Sequence, residues 1–205
     1  MSSKASEFAE LEVAIQKSKR WMEEAARLTD GLSFPTSDRN RVAVSLYHLC
    51  LEHHQAIHTL VDHGVIASAF ALVRPQFEAY VRGAWFAVCA TDDQVAEFLR
   101  NEDPPTIRIL IEQLEQHEAY KDGNLSRMKR ELWDTLCGFT HGGLVQVLAR
   151  NTRDEIKQRF VLPHITGLIK ASPILSYLSC VGMARTLDRL PLAAQLREAH
   201  QAIYS

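Results

Sequence analysis

Residues 39–90 read RNRVAVSLYHLCLEHHQAIHTLVDHGVIASAFALVRPQFEAYVRGAWFAVCA, and this stretch decides the fold. Apolar residues recur at three- and four-residue intervals on both sides of Gly64, which predicts two long helices with a hinge between them. Glycine suits the hinge because helices commonly end in a left-handed residue, where a Cβ would be strained. With His53 set at zero and about 100° per residue, Val42, Leu46, Leu49, Ile57 and Leu60 fall within about 40° of it. His53 is therefore expected at the centre of an apolar stripe. On the second helix Phe70, Ala71, Arg74, Phe77, Glu78, Val81 and Trp85 follow the spacing of a buried face. Arg74 and Glu78 then lie inside that face, where an unpaired charge is very costly, so each needs a partner. Helices joined by a short hinge pack antiparallel, and positions 53 and 74 stand about equally far from Gly64. The expectation is that His53 or His54 approaches Arg74 and Glu78. Glu78 should pair with Arg74, with Arg82 one turn on, or with a histidine.

The flanking sequence is helical in pattern as well. Residues 5–29 form an amphipathic helix, closed by Asp30-Gly31. Residues 32–37, with Pro35, read as a linker, and Thr36, Ser37 or Asp38 can cap the hairpin's first helix. Pro75 should kink the second helix near Ala71 and free a carbonyl beside the charged residues. Thr91 and Gln94 make a capping box for a short helix to about residue 101. Asp103-Pro104-Pro105 is expected to start a helix running to about residue 120. Residues 125–150 are mainly helical, with a break around Thr140-His141-Gly142-Gly143. Thr152 and Glu155 suggest a second capping box, whose helix should be interrupted or kinked at Pro163. Pro173 and Pro191 are expected to start the last two helices. No repeat and no strand-like alternation occurs. The sequence thus predicts an all-α fold: one domain over residues 1–205, a multi-helix bundle built around the long antiparallel hairpin.

Composition narrows the function. The chain has 205 residues, 46% of them apolar, enough for one substantial core. A formal net charge of −2 supplies no footprint for sequence-independent binding of duplex nucleic acid. Cys50, Cys89, Cys137 and Cys180 are far apart in apolar runs, which argues against a disulfide framework or zinc ribbon and for reduced, buried thiols. The first residues hold no apolar signal core, and the longest uncharged apolar run, residues 64–73, is about half of a membrane span. These features suggest a cytoplasmic protein with no membrane partner.

Two groups of residues could carry chemistry. His54, His58 and Asp62 are spaced to share one side of a helix, a workable metal geometry that would make the chain a metal-binding bundle. The Glu-x-x-His pair of di-iron bundles is absent, because Glu52 is followed by His53, His54 and Gln55. A lone His-x-x-x-His is a weak signal, and the expectation is neither metal nor cofactor. The second group is Arg74, Glu78 and His141, with His53 and His54 nearby. Histidine can act as a general base and arginine can stabilise charge on a phosphoryl group. An ion pair that sets helix register without catalysis is the plainer reading of the same residues. Nucleophile elbows and the usual phosphate-binding glycine loops are absent.

The segment Ser68-Ala69-Phe70-Ala71-Leu72-Val73-Arg74-Pro75-Gln76-Phe77-Glu78-Ala79 resembles one found in uncharacterised bacterial helical proteins. In those proteins a helix like that of Glu52-His53-His54 precedes it, and a His-Gly step like His141-Gly142 follows. The likeness covers about residues 40–150 and extends to the HEPN group of helical, often dimeric domains. The resemblance implies a metal-independent RNase or nucleotide-binding component of a toxin–antitoxin or phage-defence system. It also implies a homodimer, RNA or a nucleotide as ligand, and an antitoxin partner. Catalysis in that group uses an Arg and a His separated by four to six residues. Asp134, Thr135 and Leu136 stand where that Arg would precede His141, so His141 departs from the spacing. Arg41 with His48 and Arg159 with His164 fit it, at about the frequency chance supplies. The alternative function is a non-catalytic, dimeric helical interaction module whose Arg, Glu and His cluster is structural.

Overall fold

The computed structural model describes residues 2–33, 37–151 and 154–205, with side chains at 2–3, 132–137 and 145 outside the description. The described residues form an all-α bundle. Helix α1 (Ser2–Thr29) is followed by the hairpin α2 (Asp38–Asp62) and α3 (Ile66–Val88). Short helices α4 (Asp92–Leu99) and α5 (Ile107–Leu114) and a 3-10 turn (Glu118–Tyr120) lead to α6 (Asn124–Thr140) and α7 (Leu144–Leu148). The long α8 (Leu162–Thr186) and α9 (Leu190–Tyr204) close the fold. The only strand-like pairing among the described residues is an isolated antiparallel bridge between Asn151 and Ile156.

The hairpin forms as its sequence requires. Ser37 caps α2 by accepting from the Asn40 amide, and Gly64 takes a φ of +72° at the hinge. The capping box of Thr91 and Gln94 opens α4. α3 runs through the middle of the molecule and packs on α2, α5, α6 and α8. α8 in turn packs on α1, α2, α3 and α9. It is the one helix among the described residues long and apolar enough to cross a membrane, but 61% of its apolar window is buried within the bundle. Tyr47 sits in a slot between two helical glycines: a Cβ at Gly83 would lie 3.0 Å from its ring and one at Gly182 2.5 Å.

Several expectations need correction. His53 does not centre the buried stripe of α2. The buried residues are Val42, Ala43, Tyr47, Cys50, His54, Ile57, His58 and Val61, so Val42 and Ile57 of the expected stripe are buried while Leu49 is exposed. α2 is covered by α3 and α8 together, so its buried direction lies about one residue, or 100°, from the mean of its largest apolar side chains. The helix expected from Asp103 starts instead at Ile107, after the non-helical Pro104-Pro105 step, and a turn breaks it before Tyr120. Pro163 lies in the first turn of α8, where its missing N–H costs nothing, so no helix is interrupted there. Pro173 is interior to α8 rather than a start. The capping box at Thr152 lies outside the described residues. Cys50, Cys89 and Cys180 are free thiols, the first and last fully buried.

Candidate functional site

The site begins with a missing hydrogen bond. Pro75 lacks the N–H that would reach the Ala71 carbonyl one turn back. The Thr140 hydroxyl donates to that carbonyl instead, at 3.3 Å, and so ties the last residue of α6 to the first half of α3. α6 cannot continue, because Gly142 adopts a φ of +66° and the Gly143 amide donates back to the Gly138 carbonyl at 2.8 Å. This is the Schellman closure, which needs a residue free of Cβ strain at the left-handed position. The break anticipated at residues 140–143 is therefore real, and it delivers His141 at a fixed place beside α3.

His141 meets Arg74 there. Arg74 Nη1 donates to His141 Nε2 at 2.7 Å, and Arg74 Nε donates to Glu78 Oε1 at 2.8 Å. A guanidinium nitrogen can only donate, so the contact requires the neutral ring with Nε2 bare and the proton on Nδ1. Arg74 and Glu78 are 21% and 23% exposed at the side chain, and His141 is open to solvent. The three groups thus meet at the mouth of the α3–α6 groove rather than in a closed core. Phe70, one turn before Arg74, stacks on Phe139 at 4.7 Å and on Phe160 at 5.5 Å, which packs an apolar wall next to the charged groups. Arg82 takes no part in the ion pair, and its Nε is buried without a hydrogen-bond partner.

The other two predicted residues do not join this cluster. His53 is half-buried, burial holds its pKa below the ordinary histidine value, and no described bond links it to Arg74 or Glu78. His54 points the other way. Its Nδ1–H donates to Ser172 Oγ at 2.8 Å, the Ser172 hydroxyl donates to Gln76 Oε1 at 2.8 Å, and Gln76 Nε2 donates to the Ser172 carbonyl at 3.0 Å. Gln76 and Arg74 are two residues apart on α3 and so face nearly opposite directions. Equal height along the hairpin was correctly inferred, but the faces differ. His54 Nε2 is left buried without a partner, and burial, with His58 adding to it, pushes this imidazole down to about 3. His58 Nδ1 lies 3.3 Å from Asp62 Oδ2 and its Nε2 3.4 Å from the Ile15 carbonyl. Among the described residues no three His, Cys, Asp or Glu side chains are arranged to hold a metal ion.

Sequence reasoning missed Thr140 and Ser172. The signal for Thr140 was the proline at 75, whose freed carbonyl needed a donor. Nothing local marked Ser172, which becomes significant only where α8 crosses the hairpin.

A family model matches residues 47–205, three quarters of the chain and all of the site. The chain belongs to the Family of unknown function (DUF6988). Among curated proteins and solved structures, none matches it. In this DUF6988 chain the matched region includes Arg74, Glu78, His141 and the Gly142 turn, whereas α1 lies outside it.

Proposed function

We propose that this protein is a HEPN-like domain acting on RNA or a nucleotide, without a metal, as a component of a toxin–antitoxin or phage-defence system. The observation that carries the reading is the 2.7 Å contact between Arg74 and an open His141. Glu78 holds the guanidinium through Nε. A phosphate drawn to Arg74 would turn the guanidinium away from His141 and place its charge against the phosphoryl oxygens. The released Nε2 would then take the proton of a neighbouring ribose hydroxyl as general base. Pairing across two helices, rather than spacing along one, replaces the sequential Arg and His of the HEPN group. The proposal includes a homodimer, an antitoxin partner and a cytoplasmic setting.

A second reading is a non-catalytic interaction module. It is favoured by the 70%, 62% and 83% exposure of Leu144, Leu148 and Ile156, just beyond His141. One experiment separates the two. Purified chain is incubated with labelled RNA and with nucleotides in the presence of EDTA, beside His141→Ala and the double variant Arg74→Met/Glu78→Leu. Turnover by the wild type, lost by about a hundredfold or more in both variants while each stays folded, supports catalysis. No turnover, with the wild type and both variants equally folded, removes the enzymatic reading and leaves the interaction module.

A further inference from the structure

Beyond α7 the chain doubles back as a short two-stranded ribbon. The Lys157 amide donates to the Arg150 carbonyl at 2.8 Å and the Arg159 amide to the Ala149 carbonyl at 2.9 Å. Asn151 and Ile156 face each other across it as an antiparallel bridge. Lys157 and Arg159 thus turn their amides toward the neighbouring strand. Backbone groups alternate in direction from residue to residue along a strand, so Ile156 and Gln158 turn theirs the other way. Among the described residues no hydrogen bond uses the amide or carbonyl of either. Residues 154–159 are all exposed, and Ile156, at 83%, is the most exposed of the described large apolar residues. An open groove runs beside residues 157–161 of this strand.

An unpaired edge carrying an exposed isoleucine is a template for one more strand. The charges along the edge select that strand. Two copies of the edge can pair antiparallel about a two-fold axis, provided outward-facing residues meet one another. Three registers satisfy this with Ile156 and Gln158. Gln158 against Gln158 sets Lys157 against Arg159 of the second copy. Ile156 against Gln158 sets Lys157 against Lys157, although Glu155 then meets Arg159. Ile156 against Ile156 sets Glu155 against Lys157 twice, once from each copy. Like charges directly opposite destabilise a ladder and unlike charges stabilise it. Among the described residues, therefore, only the last register opposes no like charges, and it also covers each isoleucine with the other. Arg153, next along the chain, lies outside the described residues. Within one chain Glu155 and Lys157 lie 3.7 Å apart, a long contact between exposed side chains that pairing across the axis would replace.

We propose that two copies of this chain associate through this edge, Ile156 against Ile156, as one antiparallel four-stranded sheet across a two-fold axis. This deepens the homodimer of the proposed function by naming its contact, and it rests on that reading for the dimer alone. Sedimentation of the full chain from about 1 to about 100 µM should show a reversible monomer–dimer equilibrium. Ile156→Pro removes only an outward N–H, which an edge strand tolerates, and should weaken association about tenfold or more. Glu155→Lys and Lys157→Glu each set like charges across the axis, and each alone should be monomeric where the wild type is dimeric. Mixed in equal amounts the two should associate again, because every cross-axis pair is then a glutamate with a lysine. Circular dichroism confirms that each variant is folded. A wild type that stays monomeric throughout overturns the contact and the dimer together. A dimer that all three variants retain at wild-type strength puts the homodimer on another face and overturns this contact alone. A mixture that fails to associate overturns the register. Turnover at the Arg74, Glu78 and His141 cluster is measured separately, so none of these outcomes depends on catalysis.

Discussion

His54 is the residue whose protonation the fold resists. Its ordinary value is 6.5, and burial holds it at about 3 in the folded chain. Between those values the unfolded state binds a proton that the folded state excludes, so stability is full above pH 6.5 and falls steadily toward pH 3. His53 and His200, both lowered by burial, add to the same slope. His54→Asn keeps an amide donor for Ser172 but cannot titrate. Melting temperatures measured from pH 7 to pH 4 should fall less steeply for this variant than for the wild type, although it starts lower. Parallel curves would mean that His54 is charged in the folded state. Residue by residue, the sequence marked Arg74, Glu78 and His141 because charge on an apolar helical face demands a partner. It misassigned His53 because a stripe computed from large apolar side chains ignores small ones. Ala43 and Cys50 mark the true face, and both are fully buried.

At the scale of elements, the joint between α3 and α6 was half legible. Pro75 and the Gly142-Gly143 pair each announced a local break, but that one break satisfies the other depends on tertiary packing. The stretch after α7 was illegible for the same reason. Its chain is held by the Lys157 amide donating to the Arg150 carbonyl and the Arg159 amide to that of Ala149, pairings without a helical period. The joint makes a prediction. Thr140→Val preserves shape and leaves the Ala71 carbonyl without the Thr140 hydroxyl, which should cost about 1–3 kcal/mol and lower the melting temperature by about 2–9 °C. Pro75→Ala restores the N–H that α3 lacks. The double variant should therefore regain most of the stability lost in Thr140→Val. A double variant no more stable than Thr140→Val alone would show that the hydroxyl does not replace the helical bond.

Across the whole molecule, three of the buried polar residues form a seam. The larger apolar cluster holds Tyr47 and Cys50 of α2, Phe77 and Trp85 of α3, and Leu175 and Cys180 of α8. The smaller, toward the hinge, holds Ile57 and Val61, Ala69 and Val73, and Ile165 and Ile169 of the same three helices. On each helix one buried polar residue separates the two sets: His54, Gln76 and Ser172. These are the residues joined by the 2.8, 2.8 and 3.0 Å bonds. The seam fixes the height at which α2, α3 and α8 cross, since each partner has one acceptor or donor in reach and a slip of one turn would leave all three buried and unpaired. The helices themselves pass through it unbroken, so the two clusters should unfold together. Ser172→Ala breaks the seam at its centre, leaving the His54 Nδ1–H and the Gln76 Oε1 without their partner, each a loss of about 1–3 kcal/mol. The smaller cluster has less apolar surface to resist that loss. Hydrogen exchange should then show amides of residues 57–73 losing protection by tenfold or more relative to those of residues 77–86, whereas in the wild type both sets exchange through one global opening. Replacing the whole seam, His54→Leu with Gln76→Met and Ser172→Ala, removes the unpaired groups along with their bonds. Its two clusters should exchange together again, at a stability no lower than that of Ser172→Ala alone. If the single variant loses protection evenly over both stretches, the polar seam is only a local repair and the bundle is one core.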